Sequence, residues 1–338
     1  MSDNRRFHLA QRPEGVPSAA TFDLREVERP DPAPGEALVR VLYLSVDPYM
    51  RDRMRAGESY AQPWGVDDPL RGGAVCEVVE SNGAGFEPGD TVVGELPWAE
   101  YATAEGSDLT PVDTGGLPVS TALGVLGMPG RTAYFGTREV AEPKADDWMV
   151  VSGAAGAVGS VVGQLGELQG ANVVGIAGSD EKCDWLTDDL GFTAAINYKR
   201  EDVGARLDEV ADGVDVYYDN VGGPVTDAVW SRLNVDARVA VCGQIALYND
   251  EELPTGPRKL GKLIEARARV EGLLVRDFAP RFREATEHLA SLVAAGDLQY
   301  RETVTEGLEH APEAFLGLFE GENVGKQVVK VAEAEAGK

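Results

Sequence analysis

The spacing of apolar residues along the chain changes near residue 120. Ahead of that point, short apolar runs alternate with glycine and proline. Residues 37–45 read as one strand, 73–80 as a second, and Pro88-Gly89 turns the chain into a third at 91–93. Short strands punctuated by turn dipeptides predict a β-rich, partly closed barrel. From Val119 to Glu139 the spacing becomes helical, and strands then alternate with helices to about residue 297. The strands are 148–151, 172–177, 194–198, 214–219 and 238–242, and the helices between them include 181–190, 202–210 and 224–233. Asn172 to Ala177 is almost continuously apolar, as in a parallel strand covered on both faces. The alternation predicts an α/β fold with a doubly wound parallel sheet. Past residue 300 the chain returns to short strands around a helix near Ala311 to Glu320. Two domains follow: residues 1–125 completed by 300–338, and residues 126–299.

The segment Gly153-Ala154-Ala155-Gly156-Ala157-Val158-Gly159 lies between the strand at 148–151 and a helical segment from Val158 to Leu168. Strand, glycine turn and helix in that order is the setting in which G-x-G-x-x-G marks a dinucleotide site. Ala154 stands where the first glycine is usual. Gly156 bares the backbone to a pyrophosphate, Gly159 lets the helix pack close to the strand, and the helix N-terminus offers N–H groups and partial positive charge. A βα turn that binds nothing is the alternative. The next strand ends in Gly178-Ser179, where an NAD-specific site carries an acid for the ribose 2′-OH. Asp180, Glu181 and Lys182 follow, and an ammonium there suits a 2′-phosphate. The pattern predicts NADPH over NADH. A surface lysine behind a Ser179 or Asp180 N-cap is the alternative.

Composition narrows the setting. The formal net charge is −26, from 57 acidic and 31 basic residues, which argues against a nucleic-acid partner. The acid is spread along the chain, as at Asp146-Asp147, Asp188-Asp189 and Glu251-Glu252. That spread fits plain solubility, or a halophilic protein whose self-repulsion is screened by a salty cytoplasm. No run is apolar enough to span a bilayer, and Met1 to Gln11 is polar, so a cytoplasmic protein without membrane contact is expected. Cys76, Cys183 and Cys242 are far apart, which suggests a reducing compartment and no disulfides.

The motifs together resemble the zinc-independent medium-chain dehydrogenase/reductases, in the group of leukotriene B4 dehydrogenase/prostaglandin reductase and curcumin reductase. They are Leu44-Ser45-Val46-Asp47-Pro48-Tyr49-Met50-Arg51, Met128-Pro129-Gly130, Thr132-Ala133-Tyr134-Phe135-Gly136, the glycine turn, and Ala177 to Lys182. Ile196-Asn197-Tyr198-Lys199, Asp219-Asn220-Val221-Gly222-Gly223, Cys242-Gly243-Gln244-Ile245, Tyr248-Asn249 and Gly321 to Lys326 continue the series in order. The resemblance implies a Rossmann-type domain and a GroES-like barrel with a cofactor cleft between them, and a homodimer. It implies NADPH-dependent reduction of a C=C bond conjugated to a carbonyl. Carried over by motif, Gly156, Ala157, Val158 and Gly159 meet the pyrophosphate, and Ser179, Lys182 and Tyr198 the 2′-phosphate ribose. Asn220, then Cys242, Gly243, Gln244, Ile245 and Tyr248, then Leu273, Leu274 and Val275 line the adenine and nicotinamide stretch, and Asn323 its nicotinamide end. Two departures stand out: Ala246-Leu247 replaces the usual Ser or Thr before the tyrosine, and Arg131 replaces an apolar residue.

In such a reduction a hydride reaches the β-carbon and negative charge develops on the carbonyl oxygen. A hydrogen-bond donor must face that oxygen, and a phenol donates without being charged. Tyr248 is the first candidate and Tyr49 the second. The zinc enzymes of the same superfamily use Cys and His ligands. Here Ser45 to Tyr49 holds no cysteine, and Arg71-Gly72-Gly73 occupies the usual Gly-His-Glu position. His8, His288 and His310 are scattered, so neither a metal nor a Ser/His/Asp triad is expected. A quinone oxidoreductase on the same scaffold, or an NADPH-binding sensor without turnover, remain as alternatives.

Overall fold

A computed structural model describes residues 3–57, 60–252 and 254–334 of the 338-residue chain. The chain divides into two compact units, one of residues 1–123, 302–323 and 327–338, the other of residues 124–301 and 324–326.

The first unit is built on strands β1 (Asn4–Leu9), β2 (Phe22–Val27), β3 (Glu36–Ser45), β4 (Arg71–Ser81), β5 (Thr91–Pro97), β6 (Tyr101–Glu105) and β7 (Thr110–Pro111). The chain returns to it with β14 (Glu302–Glu306) and β15 (Lys326–Lys330). β1 and β2 form an antiparallel pair, and the larger sheet runs β14-β15-β3-β4-β5-β7 with β6 also on β3. Its core gathers Val39, Val41, Leu44, Cys76, Val92, Trp98 and Phe315, all at most 1% exposed. Each aliphatic side chain buried so completely contributes about 1.5–3 kcal/mol. A single helical turn, α1 (Met50–Arg53), follows β3, and helix α9 (Ala311–Glu320) packs Phe315 into this core.

The second unit holds β8 (Trp148–Ser152), β9 (Asn172–Ala177), β10 (Ala194–Asn197), β11 (Val214–Asp219), β12 (Leu233–Val241) and β13 (Arg269–Gly272). They form one six-stranded sheet in the order β10-β9-β8-β11-β12-β13, and every pairing is parallel. This is the doubly wound order, with its switch point between β8 and β11. Val150, Val174, Ile196 and Tyr217 are fully buried, as the apolar runs predict for a sheet covered on both faces. The helices are α2 (Met128–Phe135), α3 (Gly159–Leu168), α4 (Asp180–Asp184), α5 (Val203–Val210), α6 (Gly223–Trp230), α7 (Gly261–Ala266) and α8 (Phe282–Ala295).

Two readings of the pattern need correction. The helical stretch at 119–139 is three pieces: a 3₁₀ turn at Val119–Leu123, α2, and a wide π turn at Gly136–Ala141. Gly124 and Gly127 interrupt it, and the boundary between the two units falls after Leu123. The helix expected to reach residue 233 ends at Trp230, and Leu233 already pairs with Val214 in β12. Asp236, at φ +65°, makes an irregularity there that hides the strand's period.

Candidate functional site

Six of the predicted segments follow the carboxyl ends of the six strands of the second unit. The glycine turn follows β8, Ser179 and Lys182 follow β9, and Tyr198 follows β10. Asn220 follows β11, the 242–248 loop follows β12, and Leu273 to Val275 follow β13. β8 and β11 flank the switch point, where an open parallel sheet leaves a crevice.

The turn after β8 divides its work among its glycines. Gly153, at φ +60°, is the residue that needs left-handed backbone, so the tight-turn role falls one place ahead of Ala154. Ala154 is fully buried, and its N–H donates to Ile176 O at 3.1 Å. A Cβ on Gly159 would lie 2.4 Å from Gly153 O and 2.8 Å from Ala154 Cα, so that glycine is required by packing. A Cβ on Gly156 would meet only Gly153 O, at 3.2 Å. The protein leaves that space open, as a cradle for a pyrophosphate demands. Ala157 and Val158 lead into α3, whose backbone begins at Gly159. Gly325, missed in the sequence reading, donates its N–H to Ala155 O at 2.8 Å and braces the turn.

After β9, the Ser179 hydroxyl accepts from the Lys182 N–H at 3.3 Å and caps α4. The Tyr198 ring lies over Gly178, so a Cβ there would come within 3.1 Å of the ring. An acidic side chain at the end of β9 would have to displace that ring. Burial, then the like charge of Lys199, lowers the Lys182 ammonium below its usual range, with Glu181 opposing.

Asn220 is pinned to β8: its N–H donates to Ser152 Oγ at 3.0 Å and its Nδ2 to Ser152 O at 2.8 Å. Asp219, 1% exposed, is the hub of this corner, although sequence reasoning gave it no role. Its Oδ1 accepts from Ser152 Oγ, Tyr217 OH and the N–H groups of Val221 and Gly222, all within 3.0 Å. Its Oδ2 accepts from Thr226 Oγ1 at 2.7 Å. The 242–248 loop then zips onto 219–221: Cys242 N–H donates to Asp219 O at 2.8 Å, and Ala246 N–H to Val221 O at 3.0 Å. Ala246 therefore keeps its backbone contact although it lacks the usual hydroxyl. Burial pushes the Cys242 thiol up to about 11, so it stays protonated at neutral pH. Ile245 opens a 3₁₀ turn that ends at Tyr248, and the Gln244 N–H donates to the Tyr248 hydroxyl at 3.3 Å. Leu273 N–H donates to Val241 O at 2.9 Å, and Leu274 and Val275 leave the sheet half-buried. Arg131 stacks over Phe282 at 4.9 Å and donates to Thr286 Oγ1 at 3.0 Å, a staple between α2 and α8.

Tyr49 and Asn323 belong to the first unit. Tyr49 flanks α1, half-buried, and its phenol is raised by burial first and then by the Asp47 and Glu95 carboxylates. It remains a neutral donor. Asn323 is half-buried, two residues ahead of Gly325. At the position where the zinc enzymes carry histidine, a Cβ on Gly72 would lie 2.6 Å from Met50 Cε and 3.0 Å from Ser45 O. No imidazole fits there. Ser45, in place of cysteine, donates to the Asp47 carboxylate. Among the described residues no group of three or more His, Cys, Asp or Glu could hold a metal ion, and no helix is long and apolar enough to cross a membrane.

Comparison with known proteins places this geometry. Residues 5–112 match the family described as the N-terminal domain of oxidoreductase, and residues 157–291 the family described as zinc-binding dehydrogenase. YfmJ of Bacillus subtilis (strain 168) is 49% identical over 98% of this chain and 99% of its own. The NADPH-dependent curcumin reductase of Escherichia coli (strain K12) is 42% identical over 97% of each chain. The crystal structure of CurA in complex with NADPH from Vibrio vulnificus matches with a TM-score of 0.93 and 43% identity, over 97% of this chain and 99% of that one. With such full-length likeness, and with Ser45 and Gly72 at the positions of the metal ligands, the chain belongs to the zinc-independent medium-chain dehydrogenase/reductases.

Proposed function

We propose that the protein is an NADPH-dependent reductase of the C=C bond in α,β-unsaturated ketones and aldehydes. The observation that carries this reading is the 42% identity, end to end, with a curcumin reductase. The open cradle at Gly156 and the ring over Gly178 fit NADPH: one admits a pyrophosphate, the other stands where an NAD site keeps its acid.

When bound, NADPH would supply a hydride for the β-carbon of the substrate, and the α-carbon would then take a proton from solvent. The chain's part is to hold the dinucleotide and meet the charge that develops on the carbonyl oxygen. Gly156, Ala157, Val158 and Gly159 hold the pyrophosphate, and Ser179, Lys182 and Tyr198 the 2′-phosphate ribose. Asn220, Cys242 to Ile245, Leu273 to Val275 and Asn323 line the rest of the cofactor. The Tyr248 O–H donates to the carbonyl oxygen, with Tyr49 as the second phenol. The Gln244 N–H polarises the Tyr248 oxygen and fixes its direction, which removes reorganisation from the reaction. No metal is required of the chain for this step.

The unit of residues 1–123, 302–323 and 327–338 is a GroES-like barrel, and the unit of residues 124–301 and 324–326 carries the cofactor. The protein pairs as a homodimer and works in a cytoplasm of high salt, without nucleic-acid or membrane partners. Support for pairing comes from β13, an outer strand with all four residues exposed, and from Leu260 and Ile264, which are 72% and 81% exposed.

The test is NADPH oxidation with a 2-alkenal, with curcumin and with a quinone. Turnover of the alkenal and of curcumin well above that of the quinone is expected. A quinone preferred over both moves the activity to quinone reduction. Tight NADPH binding with no acceptor turned over makes the protein a sensor.

A further inference from the structure

We propose that Lys199 is a second cation for the 2′-phosphate of the cofactor, and that Asn197 sets its place. The inference rests on the NADPH reading above. β9 and β10 are neighbours, with Asn197 opposite Ala177, so the turns at 178–182 and 198–201 leave the sheet side by side. Asn197, 4% exposed, ties the two turns together. Its Nδ2 donates to Asp180 Oδ1 at 2.5 Å, and its Oδ1 accepts from the Lys199 N–H at 3.1 Å. Its own N–H donates to Glu201 Oε2 at 2.8 Å, and its carbonyl accepts from the Arg200 and Glu201 N–H groups at 2.9 Å. The backbone that carries Tyr198 and Lys199 is thereby fixed against the start of α4, where Lys182 stands.

Of the nearby carboxylates, Glu181 attracts Lys182, whereas two others are bound elsewhere. Asp180 is held by Asn197 and by the Arg200 guanidinium, and Glu201 by the Asn197 N–H and by Arg206 at 3.4 Å. Lys182 and Lys199 meanwhile repel one another. Two of the chain's eight lysines are thus gathered at adjoining strand ends in a protein of net charge −26. A dianionic phosphomonoester relieves such a repulsion, and a ribose hydroxyl does not. Tyr198, between them in sequence, covers Gly178 and leaves the approach to the cations rather than to an acid.

The experiment measures dissociation constants of NADPH, NADH and 2′,5′-ADP for the full-length wild type, K199A, N197A and K182A. K199A should weaken NADPH and 2′,5′-ADP about 10-fold or more, the lower end of one charge-assisted contact, with NADH within about twofold. N197A should lower the NADPH-over-NADH ratio in the same direction, and K199R should restore most of it. Equal weakening of NADPH and NADH in K199A, or no change in either, overturns the role of Lys199 while leaving the NADPH reading in place. A wild type that binds NADH as tightly as NADPH overturns both. If N197A does not fold, K199A and K199R decide.

Discussion

Replacing each of two glycines in the turn after β8 with alanine separates packing from ligand binding. At Gly159 the new methyl would sit 2.4 Å from Gly153 O and 2.8 Å from Ala154 Cα, and both contacts are backbone. Such overpacking costs about 1–3 kcal/mol, only partly offset by the 0.5–1 kcal/mol that alanine gains over glycine in a helix. At roughly 2 °C per kcal/mol for a chain of this size, G159A should lower Tm by up to about 5 °C. At Gly156 the methyl meets Gly153 O alone, at 3.2 Å, and the residue has no positive φ. A shift of a few tenths of an ångström is offset by the entropy that alanine removes from the unfolded chain, about 0.4–1 kcal/mol. G156A should therefore melt within about 1 °C of wild type. Its methyl fills the space left for the pyrophosphate, so NADPH should bind at least tenfold more weakly, about 1.4 kcal/mol. The assay is a thermal melt without cofactor, paired with NADPH titration by fluorescence. A G156A protein that melts as low as G159A, or that binds NADPH like wild type, would refute the division of roles.

Y248F should lower kcat by about 10- to 1,000-fold while NADPH affinity changes far less, because it removes the donor to the oxyanion together with the acceptor of the Gln244 N–H; an unaltered kcat would move that role to Tyr49. Burial raises the Glu167 carboxyl to about 7, above its value in the unfolded chain. Its stabilising contribution is complete below about pH 4 and is lost as pH rises to about 7. E167Q should consequently be more stable than wild type at pH 8 by about 1–3 kcal/mol, but not at pH 4, in urea unfolding; the same gap at both values would exclude the carboxyl as its origin. Tm should rise by several degrees between low-salt buffer and molar KCl, since the charge of −26 repels itself. Equal melts in both would count against adaptation to salt.

The parallel sheet was legible because its strands are buried on both faces. Val150, Val151, Val174 and Ile176 need no partner to reveal themselves. β1 was not, because Asn4, Arg5, Arg6 and His8 interrupt its apolar positions and its partner β2 lies beyond a long loop. β12 was read short because a left-handed Asp236 breaks its period. The site divides the same way. The glycine turn is a local pattern, so its spacing and the packing role of Gly159 could be read, although only the structure shows that Gly153 carries the turn.

Contacts between strand ends are another matter. Asp219 joins Ser152, 67 residues earlier, to Thr226, and no periodicity announces that. Asn197 matters because β10 lies beside β9, which places Lys199 near Lys182 across 17 residues of sequence. In a doubly wound sheet each strand end contributes one or two residues, and the sheet order decides which of them act together. On the proposed reading, preference for NADPH is a property of a pair of strand ends. A carboxylate introduced at Gly178 alone should not produce an NADH enzyme, because Tyr198 covers that position and the cations at 182 and 199 remain. Converting the preference should need changes at both ends together: an acid at 178, a small residue at 198, and loss of both lysines. If G178D alone inverted the NADPH-over-NADH ratio, the second strand end would have no part in the choice.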